Sequence, residues 1–99
     1  MAELKWTTEA LDWLEEIYRY IAQDNPEAAA QVVDGIYEKA QMLTRHPDIG
    51  TRLRQVEEGD VRFILYGHYR IAYLRHTNGE LIHVIGVFHG ALDIDKYLP

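Results

Sequence analysis

The side chains with the widest chemical repertoire in this chain are five histidines, at positions 46, 68, 76, 83 and 89. A metal centre needs several imidazole, thiolate or carboxylate donors converging on one point. A sequence signals that by histidines four apart on a helix or two apart on a strand. No two histidines here have either spacing, there is no His-Glu-x-x-His, and there is no cysteine. His83 and His89 could converge in space, but the spacing predicts neither a metal nor a cofactor. No glycine-rich phosphate loop, Gly-x-Ser-x-Gly elbow or dinucleotide fingerprint occurs. The one glycine-terminated loop, Glu57-Glu58-Gly59-Asp60, is acidic and would repel a phosphate.

The arginines are more suggestive. Arg62, Arg70 and Arg75 fall in runs that read as strands. A sheet covered by helices on one face leaves the other open. Arg62 and Arg70 projecting there beside His89 would form a cationic groove; the competing reading pairs these arginines with the acidic loop. The acidic positions Glu9, Asp12, Glu15 and Glu16 read as a solvated helix face. The tyrosines and tryptophans read as core residues with a polar edge rather than a stacking platform for bases.

Charge limits the class of partner. Residues 1–50 carry a net −6, residues 51–99 are neutral, and five of the seven arginines lie in the second half. A protein that grips a polyanion by releasing its counterions is expected to be basic overall, and this chain is not. An apolar fraction of 47% with 26% charged residues is ordinary for a globular protein, and 99 residues suffice for one core, so residues 1–99 are expected to form one domain. The absence of cysteine, of a signal-like start and of a membrane-length apolar run points to the cytoplasm and away from a membrane.

The elements that must position these residues follow from hydrophobic period. Residues 2–7 alternate and predict a short strand. Thr7 or Thr8 then caps a helix whose buried stripe is Leu11, Leu14, Ile17, Tyr18 and Ile21. Asn25-Pro26 ends it and starts a second helix, with the stripe Ala29, Val32, Val33, Ile36, Tyr37, Ala40 and Leu43. The short joint makes the pair an antiparallel hairpin. After a polar loop at 48–60 the period becomes two. Val61–Tyr66, Tyr69–His76 and Glu80–Phe88 predict a three-stranded antiparallel meander, with Gly67-His68 and a two-residue Asn78-Gly79 turn whose central positions both have positive φ. The class is α+β.

The ordered set Asp24-Asn25-Pro26-x-x-Ala29, Leu43-x-x-x-Pro47-x-x-Gly50, Val61-Arg62, Tyr69-Arg70-Ile71-x-Tyr73 and Val84-x-x-Val87-Phe88-His89-Gly90-x-x-Asp93 resembles the RelE/ParE toxin superfamily from about Thr8 to Leu98. No single element is specific, but the order and spacing together are. The resemblance implies a toxin neutralised by a cognate antitoxin, with a DNA-binding N-terminal domain, in a toxin–antitoxin hetero-oligomer, and no sequence-specific nucleic-acid binding by the toxin itself.

The superfamily has two branches. The ParE-like branch is not enzymatic and inhibits DNA gyrase. The RelE-like branch comprises ribosome-dependent messenger RNA endoribonucleases, for which this chain offers Arg62, Arg70, His89 and an acid from Glu57 or Glu58. Such cleavage needs a base, an acid and cations for the phosphorane. Basic residues near the C-terminus are usual in that branch, whereas this chain reads Ala91-Leu92-Asp93-Ile94-Asp95. The reading is therefore ParE-like, with the ribonuclease and an inactive antitoxin-binding member as alternatives. Target contact is assigned to His89, Leu92, Tyr97 and Leu98 at the C-terminal end and to Arg62 and Arg70 on the sheet. Leu92, Tyr97 and Leu98 either enter a target pocket or cover the core's open end.

Overall fold

The computed structural model describes residues 1–90 and 96–98. Strand β1 (Glu3–Trp6) leads into helix α1 (Thr8–Ala22) and helix α2 (Pro26–Gln41). A single 3-10 turn (Met42–Thr44) follows, then strands β2 (Thr51–Val56), β3 (Gly59–Tyr66), β4 (Tyr69–His76) and β5 (Leu81–His89). The caps are those the sequence predicts. Thr7 Oγ1 accepts from the Ala10 N–H, Asn25 Oδ1 accepts from the Ala28 N–H, and Pro26 occupies the first turn of α2. No helix among the described residues is long and apolar enough to cross a membrane.

The strands form one five-stranded sheet, ordered β1-β5-β4-β3-β2. β2 to β5 make an antiparallel meander, while β1 lies parallel to β5, Glu3 opposite Leu81 and Trp6 opposite Val84. The expected α+β layout stands, but the expected loop at 48–60 contains a strand. β2 escaped the period-two signal because its pairing slips between Arg52 and Arg54, a bulge that breaks the alternation, and because an edge strand buries little. The Asn78-Gly79 connection also differs from expectation. Gly79 has φ of 73°, but among the described residues no non-glycine residue has positive φ. Asn78 instead accepts the Glu80 N–H through Oδ1 while the Gly79 N–H donates to His76, so four residues, not two, join β4 to β5.

Both helices pack on one face of the sheet. Ala10, Leu14, Ile36, Ala40 and Leu43 meet Ile64, Ile71, Tyr73, Ile82, Val84 and Val87. Leu11, Tyr18 and Tyr37 were expected in that stripe, yet they are about 40% exposed, because the two helices pack on each other and leave a shallow outer groove between them. Close approach explains the glycine inside α2: a Cβ on Gly35 would overlap the hydroxyl end of Tyr66, so its absence lets β3 lie under the helix. The opposite face carries a smaller cluster, Ala72 and Phe88 with Leu53, Ile85, Leu98 and Trp13.

One buried side chain ties these layers to the segment entering β2. The Tyr73 hydroxyl accepts from the Gly50 N–H at 3.0 Å and donates to the Pro47 carbonyl at 2.9 Å. Beside it, Arg62 donates from Nε to Asp60 Oδ2 at 2.5 Å and from one terminal nitrogen to the Asp48 and Gly50 carbonyls at 3.0 and 2.9 Å. Arg75 pairs with Asp48 and with Asp60. Burial holds the Tyr73 phenol above its ordinary range, opposed by the Gly50 N–H and by Arg62.

Tyr73→Phe keeps the ring but strands a buried N–H and C=O, and should cost about 1–3 kcal/mol in urea unfolding. Because the folded-state pKa is raised, the phenol's contribution is complete below about pH 10 and is lost as pH climbs from there through the folded value. The parent should therefore lose more stability above pH 10 than the Phe variant. Equal alkaline losses would separate the latch from the titration.

Candidate functional site

The sheet register decides which candidate residues can meet. Arg62 lies opposite Tyr73, Arg70 opposite Phe88, and Tyr69 opposite His89. Alternation along β4 therefore puts Arg62 and His89 on the helix-covered side and Arg70 on the other. The cationic groove that would combine Arg62 and Arg70 on the open face does not form. Arg62 is instead held in the Asp48–Asp60–Arg75 network, its side chain 18% exposed, as the ion-paired reading anticipated. Arg70 donates to the Gly90 carbonyl at 3.0 Å and stands over the Phe63 ring, 5.4 Å from its centroid.

Glu58 precedes β3 at the level of His76, whose partner is Gly59, whereas His89 is level with Tyr69. Seven residues of β4 separate those levels, about 24 Å at a rise of about 3.4 Å per residue. The four residues of the ribonuclease alternative thus occupy both faces and both ends of the sheet. His83 and His89 do not converge either, since they sit towards opposite ends of β5. His83 meets His76 across the hairpin, and burial together with that neighbouring imidazole lowers its pKa. His89 stacks on His68 at 6.3 Å and faces the edge of Tyr69 at 5.8 Å.

What the structure assembles instead is an aromatic groove. Trp13, Glu16, Ile17 and Tyr20 of α1 face Tyr69, Val87 and His89 across a cavity of about 410 Å³. Helical spacing supplies one wall, since positions 13, 16, 17 and 20 share a face of α1. Strand alternation supplies the other, with Val87 and His89 on one side of β5 and Tyr69 opposite His89. Tyr20 is 77% exposed. Burial, and secondarily the Tyr20 hydroxyl, raise the Tyr69 pKa. The sequence assigns His89 to contact, whereas Trp13, Tyr20 and Tyr69 read there as core with a polar edge, on residue type alone.

Free backbone adjoins the groove. β1 pairs with β5 only as far as Val84, where the Thr7 N–H closes the ladder at 3.0 Å. Among the described residues no strand pairs with the outer edge of β5 from Ile85 to Phe88, and β2 forms the sheet's other edge.

The C-terminal candidates gather on the open face. The Tyr97 ring lies 5.2 Å from Trp13 and 5.9 Å from Phe88, Trp13 itself lies 4.7 Å from Phe88, and Leu98 packs on the same cluster. Leu92 lies outside the described residues. Trp13 thus touches both the groove and the seat of the tail.

Comparison with known proteins places this arrangement. The sequence model described as ParE toxin of the type II toxin–antitoxin system parDE matches residues 4–94. A putative toxin, Y4kP, of Sinorhizobium fredii is 36% identical over 74 residues, 70% of this chain and 75% of that protein. Among solved structures, the chromosomal ParDE toxin–antitoxin system of P. aeruginosa superposes with a TM-score of 0.69 at 25% identity, covering 90% of this chain and 96% of its counterpart. The RelBE2 toxin–antitoxin complex of Mycobacterium tuberculosis shares the fold, with a TM-score of 0.59 at 24% identity over 89% and 96% of the two chains. The family match spans β1, the helical hairpin and the whole meander, and this chain therefore belongs to the ParE toxin family of type II toxin–antitoxin systems.

Proposed function

We propose that this toxin acts as a ParE-like inhibitor of DNA gyrase in the cytoplasm and carries no chemistry of its own. The observation that carries this reading is the scatter of the ribonuclease candidates. Arg62 is committed to Asp60 and two carbonyls, Arg70 is on the other face, and Glu58 is at the far end of the sheet from His89. A general acid and base about 24 Å apart cannot serve one phosphodiester, because each must lie within hydrogen-bond reach of its proton. The acidic first helix also opposes docking on a polyanion. Purified toxin should inhibit gyrase supercoiling and leave messages on translating ribosomes uncut. Position-specific messenger cleavage without gyrase inhibition would reverse the assignment.

The neutralising partner is an antitoxin segment that lies in the Trp13–Tyr69 groove and pairs with a free strand edge. An apolar groove receives the apolar face of an amphipathic helix, and an unpaired edge receives a strand. Both lie within one β5-to-α1 neighbourhood here. Tyr20→Ala, on the exposed rim of the groove, should weaken antitoxin binding about tenfold, the scale of an interface aromatic, without altering folding. Contacts to the arginine-bearing strands should make the affinity fall as salt rises.

Target contact is assigned to the opposite face, to Arg70 with Tyr97 and Leu98 over Phe88. Deleting residues 91–99 removes the half-exposed Tyr97 and Leu98 and should lower stability by about 2 kcal/mol, less than two fully buried large side chains would cost. Arg70→Gln should melt close to the parent and bind antitoxin normally, yet lose gyrase inhibition. Full gyrase inhibition by both variants would move the target surface elsewhere.

A further inference from the structure

The histidine pair on the β4–β5 hairpin belongs to neither the aromatic groove nor the tail. His76 Nε2 and His83 Nδ1 lie 3.0 Å apart, with ring centroids at 5.1 Å and planes inclined by 60°. The residues are seven apart in sequence, and the hairpin register alone brings them together: Leu74 is opposite His83, so His76 lies one diagonal step away on the same face. β1 borders the pair, with Lys5 opposite His83 and the Lys5–Glu3 ion pair at 3.6 Å.

We propose that His76 and His83 form a two-imidazole site for a borderline divalent transition-metal ion, one that bridges β4 to β5. Two imidazole nitrogens each about 2.0–2.1 Å from one metal are about 2.9 Å apart at a right angle and about 3.3 Å apart in a tetrahedron. The observed 3.0 Å falls between those values, so the ligands stand at chelating distance without moving the backbone. In the metal-free pair one ring donates its N–H to the other ring's lone pair. Binding requires that the donor ring shift that proton to its other nitrogen and that both rings rotate until their lone pairs meet beside the line joining the two nitrogens. Both rings remain neutral, both lone pairs turn to the metal, and no proton is released. Among the described residues no third histidine, cysteine or carboxylate joins the pair, so water completes the coordination. Imidazole donors and an open shell give the affinity order Cu2+ above Ni2+ and Zn2+, with Mg2+ and Ca2+ excluded as hard, oxygen-seeking ions. The ammonium of Lys5 opposes the bound charge, which makes its removal an independent handle.

The test is calorimetric titration of the full-length chain with Cu2+, Ni2+, Zn2+ and Mg2+, alongside thermal melts. The expected result is one equivalent of Cu2+, Ni2+ or Zn2+ bound, none of Mg2+, and a Tm that rises with metal concentration as a ligand specific to the folded state requires. His76→Gln and His83→Asn should each weaken binding about tenfold or more, His68→Asn should not, and Lys5→Gln should strengthen it. Should a histidine variant fail to fold, substoichiometric Ni2+ added to the parent must broaden the His76 and His83 ring resonances before those of His46, His68 and His89. Binding that survives loss of His83, or broadening that begins at His68 and His89, would overturn the proposal.

Discussion

A single phenolic hydroxyl organises this structure. Tyr73 sits at the centre of the sheet with its ring in the helix-facing core, and its oxygen both accepts from Gly50 and donates to Pro47. Buried polar groups must be paired, so the segment leaving the helical hairpin has one position at which its backbone is satisfied. That position starts β2 at the sheet's edge and places Asp48 beside Arg62 and Arg75. Gly50 leaves room for the contact, since a Cβ there would strike the tyrosine hydroxyl and the Phe63 carbonyl. The ion pairs that look on paper like a cationic surface are in place to hold this joint.

The same arrangement separates the two faces of the molecule. Strand alternation sends Tyr69, Ile71 and Tyr73 towards the helices and Arg70 and Ala72 away from them. An aromatic groove and a free strand edge lie on the first side, a guanidinium and the C-terminal aromatic on the second. Trp13 packs against both clusters and links them across the part of β5 that β1 does not cover. The antitoxin and target surfaces proposed above would thus lie on opposite sides of the sheet.

The electrostatic asymmetry fits this division. Acidic side chains line the outside of the hairpin, and the network of Asp48, Asp60, Arg62 and Arg75 sets two carboxylates against two guanidiniums. Arg70 stands outside that network on the other face, where a local charge remains for salt to screen.

Much of this architecture was legible in the residues themselves. Caps at Thr7 and Asn25, Pro26 at the start of α2, the two apolar stripes and the period-two runs of β3 to β5 are local signals, each set by backbone chemistry within a few positions. The family resemblance added the toxin fold those elements build, but the order of strands in the sheet came from the structure. Three things depended on contacts distant in sequence. β2 exists because β3 and the Tyr73 latch supply its hydrogen bonds, not because Thr-Arg-Leu-Arg-Gln-Val buries a face. The roles of Arg62 and Arg70 depended on register, since one step along a strand reverses the side on which a residue lies. The groove of Trp13, Tyr20, Tyr69 and His89 joins two helical turns to two strands that are 49 to 76 residues away. Local sequence thus determined the two helices and every strand but β2, while only the packing of the sheet against α1 decided which aromatic side chains would be left lining an open groove.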